Sequence, residues 1–109
     1  MPVSFVVTLN NQIIHTCNKQ PLPGRLRRFL DEMDRDMQNG VQLGDHWVES
    51  PSDFQKQQYI AMYLVNALEK KDNEQVQTLS FYLSSRDEFL GEVKVTQQDD
   101  LFNLKLITK

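Results

Sequence analysis

The chain has 109 residues, of which 39% are hydrophobic and 25% charged, with a formal net charge of -3 and a pI of about 5.3. That length calls for one domain with a modest core, and the composition excludes both a disordered chain and a Cys-dense secreted scaffold. The acidic balance argues against a surface that tracks phosphate backbones throughout.

The first expected element is a hairpin. "VSFVVTL" and "QIIHTC" are β-branched, apolar runs on either side of Asn10-Asn11, and Asn tolerates the positive φ angles that a tight turn requires. A period of two places Phe5, Val7 and Leu9 on one face, and Ile13, His15 and Cys17 on one face of the second strand. "NKQPLPG" breaks the pattern. From Pro23 onward, Leu26, Phe29, Leu30, Met33 and Met37 recur at spacings of three and four, which predicts a helix with one apolar stripe and Gly40 as its stop.

"VQLGDHWVE" reads as a connector. In "SPSD", Ser50 is the expected N-cap, with Pro51 at the first helical position and Asp53 three residues after the cap. The second helix, Pro51 to Lys71, carries Phe54, Ala61, Leu64, Val65 and Leu68 on its core face. Tyr59, Ile60, Tyr63 and Ala67 form a second apolar arc, so this helix is covered from two directions or belongs to an interface. Asp72 or Asn73 restarts the chain as a third helix with Val76, Leu79 and Leu83, which "SSRDEF" ends. The tail alternates, with Val93 and Val95 opposite Glu92, Lys94 and Thr96, then Phe102, Leu104 and Leu106 opposite Asn103 and Lys105, turning near Asp99-Asp100. The expected class is α+β: a two-layer fold in the order ββαααββ, with an antiparallel sheet from the terminal hairpins and three helices on one face.

Cys17 is the single cysteine, so no intrachain disulfide is expected and a reducing cytoplasm is the simpler compartment. "MPVSFVVTLNN" has no basic n-region or long apolar run of a signal peptide, and "IAMYLVNAL" is too short to cross a bilayer and is interrupted by Asn66, so no membrane association is expected.

Chemistry-bearing residues concentrate in "DEMDRDMQNGVQLGDHWVES". Asp34, Asp36 and Asp45 fall at the first, third and twelfth positions of a calcium loop, but the required glycine is displaced to Gly40, Gln38 stands at the fifth position, and the last acid is Asp rather than a bidentate Glu. The first helix also has its charges reversed with respect to the macrodipole, with Arg25, Arg27 and Arg28 early and Asp34 and Asp36 late. Pairs four residues apart, Arg27 with Asp31, Arg28 with Glu32 and Asp31 with Arg35, offset that cost in one reading, and a dipolar docking surface is the other. "PGRLRR" offers an anion contact through the three arginines, without the Gly-rich loop or aromatic interleaving that nucleic-acid binding calls for. His15 and Cys17 share a strand face, with His46 as a distant third group, but no zinc-ligand spacing or nucleophile motif accompanies them.

The run "MDRDMQNGVQLGDHWVESP", with the apolar helix after it, resembles a group of small uncharacterised bacterial proteins that share a Met-Asp-x-Asp-Met start, a Gly and a Trp-Val-Glu-x-Pro end. The resemblance covers under half the chain, implies a bacterial, cytosolic protein and carries over no activity. The sequence therefore leads to a non-enzymatic interaction or regulatory module, with no cofactor and no bound metal. Asp34, Asp36, Asp45 and Trp47 form the expected docking surface for a basic protein partner, and Tyr59, Ile60 and Tyr63 the expected face of a homodimer. The alternative is a divalent-metal-dependent protein or enzyme using the acidic segment 31–46.

Overall fold

The computed structural model describes residues 3–109. In chain order it contains β1 (Val3–Leu9), β2 (Gln12–Asn18), α1 (Gly24–Met37), β3 (Val41–Leu43), β4 (His46–Val48), α2 (Asp53–Lys70), α3 (Asn73–Arg86), β5 (Leu90–Gln98) and β6 (Leu101–Thr108). The α+β class and both terminal hairpins are as the hydrophobic pattern implies. Asn10 and Asn11 both take positive φ, 50° and 69°, which gives the tight β1–β2 turn its local cause. Asp99, at φ 54°, does the same between β5 and β6.

The four-stranded sheet has the order β2-β1-β5-β6. Each hairpin is antiparallel, but the hairpins meet through β1 and β5, which run parallel, with Val7 opposite Val93 and Leu9 opposite Val95. The sheet is thus mixed rather than antiparallel throughout. Alternation at period two reads the same in both chain directions, so it specifies the buried face of a strand and not its polarity. Asn10 reinforces the join: its N–H donates to the Val95 carbonyl and its Oδ1 accepts from the Gln97 N–H, both at 2.9 Å.

Phe5, Val7, Val93 and Val95 are fully buried on the inner face, where they meet Leu30 of α1, Ala61, Leu64 and Val65 of α2, and Val76, Leu79 and Leu83 of α3 in the core. The second strand departs from simple alternation. Val7 pairs with His15 and Thr8 with Ile13, so Ile14 is an extra, bulged residue. His15 and Cys17 stay on the inner face with Val7 and Phe5, whereas Ile13 turns to the outer face with Thr8 and is 60% exposed.

The expected connector contains a short hairpin of its own, β3 with β4, in which Val41 opposes Val48 and Gln42 opposes Trp47. The second helix starts two residues later than the first serine predicts. Ser52 is the N-cap, with Ser52 Oγ accepting from the Gln55 N–H at 3.2 Å and Gln55 Oε1 accepting from the Ser52 N–H at 2.9 Å. Gln55 decides between the two serines, because only Ser52 has a side chain three residues on that returns the bond. Ser50 is left at φ 52° before the buried Pro51, and Phe54, assigned to the core face from its spacing, is 53% exposed. Lys71 adopts the left-handed conformation that ends α2, and Asp72 caps α3 by accepting from the Gln75 N–H at 3.2 Å.

Candidate functional site

A step of about 100° per residue divides α1 into a buried stripe, around Leu26, Leu30, Met33 and Met37, and two flanks. Asp31 and Asp34 lie on one flank, Phe29 and Asp36 on the other.

The Asp34 flank is closed by charge. Arg86, at the end of α3, donates from Nε to Asp34 Oδ2 at 3.0 Å and places an Nη nitrogen 2.7 Å from Asp34 Oδ2 and 2.9 Å from Asp31 Oδ1. The Tyr82 hydroxyl donates to Asp34 Oδ1 at 2.5 Å, and the Arg86 guanidinium lies 5.3 Å from the centroid of the Tyr82 ring. Burial first, and then the Asp34 carboxylate, push the Tyr82 phenol well above its ordinary pKa. Burial works against the Arg86 charge, but Asp34 and Asp31 outweigh it and raise its pKa. This cluster accounts for an acid near the end of α1, where the dipole disfavours it. The counter-charge comes from α3, and among the described residues the expected pairs Arg27–Asp31, Arg28–Glu32 and Asp31–Arg35 do not form.

The other flank is open. Two adjoining cavities, of about 410 and 290 Å³, share Met33, Gln75 and Leu79 and run along α1 from Phe29 to Gly40. Met33 and Met37 of α1, Tyr59, Ile60 and Tyr63 of α2, and Leu79 of α3 supply the apolar lining. Phe29 at one end is 51% exposed and Tyr63 at the other 43%, whereas Ile60 is 3% exposed and forms the floor. Tyr59 and Tyr63 meet edge to face, with centroids 4.9 Å apart, and the Tyr59 hydroxyl donates to the Tyr63 oxygen at 3.1 Å. That bond, aided by partial burial and by the Tyr63 charge, pushes the Tyr59 pKa up to about 12. Among the described residues, the carboxylates and bases on the lining are Asp36, Asp72 and Glu74, all acidic.

Trp47 does not line the groove but packs on Gly40, which does. Its ring lies so close to Gly40 that a Cβ there would sit 2.3 Å from Cζ2, and Gly40 has a φ of +126°, where L side chains are strained. Trp47 is itself 59% exposed.

The structure therefore joins Asp36, Tyr59, Ile60 and Tyr63, which the sequence assigns to two separate surfaces, on one groove, and leaves Trp47 outside its lining, against Gly40. Asp34 faces the opposite flank. Asp45 is exposed in the β3–β4 turn, and Arg25, Arg27 and Arg28 are exposed at the start of α1. Leu79, Gln75 and Glu74 of α3, and its N-cap Asp72, are contributions that sequence spacing does not assign to a site. Phe29 carried the available signal, since it stands at the margin of the α1 stripe rather than at its centre.

His15 and Cys17 face α3, where Ser80 Oγ lies 3.5 Å from His15 Nε2. Burial lowers the His15 pKa and raises that of Cys17, although Ser80 partly opposes the latter shift. A raised thiol pKa is the opposite of what a cysteine nucleophile needs. Among the described residues, no three of His, Cys, Asp and Glu gather where they could hold one metal ion, and no helix is long and apolar enough to cross a membrane. No family model, no curated protein and no solved structure matches the chain.

Proposed function

We propose that the chain is a protein-interaction module that seats a basic, amphipathic helix of a partner in the groove beside α1. The observation that carries this reading is one continuous trough with a methionine and aromatic lining and a wholly acidic set of charges. Methionine side chains adapt to varied apolar surfaces, and a groove between helices suits the apolar face of another helix. From Phe29 to Gly40 the groove spans roughly 16 Å, or about three turns of a bound helix. Asp36, Asp72 and Glu74 would attract basic residues beside that apolar stripe and speed encounter.

The sole tryptophan gives the test its readout. A capped helical peptide of about four turns with leucine on one face and lysine on the other is titrated against the chain, with a glutamate-for-lysine peptide alongside. The expected result is a change in Trp47 emission with the lysine peptide alone, weakened by salt and by Phe29→Glu. Equal response to both peptides, or equal affinity in the Phe29→Glu protein, contradicts the reading. Light scattering of the chain alone distinguishes a second copy in the groove: a dimer that already buries Phe29 and Trp47 also contradicts it.

A further inference from the structure

A separate trough lies between β2 and α3, on the far side of α3 from the groove. Its volume is about 280 Å³, and its strand side is made by His15, Thr16, Cys17 and Asn18. His15 and Cys17 point toward α3, so Thr16 and Asn18, whose side chains alternate to the other face, reach the cavity through their backbone or around the strand's edge. β2 is the terminal strand of the sheet, and no strand pairs with its outer edge among the described residues. The helix side is formed by Asn73, Val76, Gln77, Ser80, Phe81 and Ser84, whose spacing makes a single stripe along α3.

We infer that an extended segment of another protein adds to the sheet as a strand beside β2, in the trough under α3. The unpaired edge offers backbone donors and acceptors that an incoming strand satisfies, while the helix gives the bound chain a wall to pack against. The α3 stripe is roughly 16 Å long, the span of about five extended residues. No Asp, Glu, Lys or Arg lines the trough among the described residues, and burial favours the neutral form of His15. A charged ligand side chain would therefore be desolvated without a partner. The segment's inward side chains are accordingly uncharged: hydroxyl or amide groups toward Ser80, Gln77 and Asn73, and aliphatic groups toward Val76 and Phe81. This site uses residues distinct from those of the α1 groove and stands or falls independently of it.

The probe is a capped peptide of alternating valine and serine, compared with the same sequence N-methylated at every residue, by amide NMR of the full chain. The N-methyl peptide keeps the side chains but cannot form the ladder. The expected result is a shift of the His15 to Asn18 amides and of the Gln77 to Ser84 stretch with the unmethylated peptide only. The exposed Gln77→Trp substitution fills the trough without touching the core and should weaken binding at least about tenfold. Four results overturn the inference: no shift at millimolar peptide, shifts centred on the other edge strand β6, equal binding of the N-methyl peptide, or undiminished binding to Gln77→Trp. Concentration-dependent protection of the β2 amides in the chain alone also overturns it, since a second copy would then occupy the edge.

Discussion

Asp34 and Asp36 are two residues apart on the same helix, and their surroundings are opposite. Asp34 is held by Arg86 and Tyr82, with its side chain 29% exposed, whereas Asp36 lines an open groove. A rotation of about 200° along α1 separates a carboxylate built into the fold from one left exposed on the open groove. The two acids look alike in sequence, so the difference lies in what α2 and α3 place beside each flank.

The largest effect should come from the closed flank. Asp34→Ala leaves the half-buried Tyr82 hydroxyl without its acceptor and the Arg86 guanidinium with the more exposed Asp31 as its remaining partner, and should cost about 2 kcal/mol, or a fall in Tm of about 10 °C by calorimetry. A loss no greater than that of Asp36→Ala would erase the contrast. Gly40→Ala combines a left-handed backbone with a clash against Trp47, and should cost about 1 to 2 kcal/mol in denaturant unfolding and alter Trp47 emission. Unchanged emission would mean that Trp47 does not rest on Gly40.

Asp36→Asn should leave stability within about 0.5 kcal/mol while weakening the lysine peptide by about two- to fivefold at low salt. An effect on stability with none on binding would reverse the roles of the two flanks. The smallest effect concerns alkaline pH. Tyr59 and Tyr82 titrate higher in the folded chain than their ordinary value of 10, so their contribution to stability is complete below pH 10. It is lost as pH rises through the folded values, about 12 for Tyr59. Tyr82→Phe should flatten part of that alkaline decline in a pH series of denaturant midpoints, and an unchanged slope would separate Tyr82 from the linkage.

What was legible in the sequence follows from range. The Asn10-Asn11 turn, the α1 stripe and the alternation of β5 and β6 are set by neighbours within a few residues, and they form as the pattern implies. The parallel β1–β5 join, the Ile14 bulge and the pairing of Arg86 with Asp34 across 52 residues leave no local pattern to read. The candidate groove was legible in fragments: Asp36 stood out by helix charge and Tyr59 and Tyr63 by apolar spacing. Their union depends on α3 lying alongside α1, which no spacing within either helix records.

The central claim is that the open flank of α1 receives a basic amphipathic helix, and the methionine methyl groups test it most directly. Met33 and Met37 line the groove and Met62 does not. In a methyl NMR titration with the leucine-lysine peptide, the Met33 and Met37 ε-methyl signals should move together and saturate, while Met62 stays in place. Unmoved Met33 and Met37 signals, or equal shifts at Met62, would contradict the account.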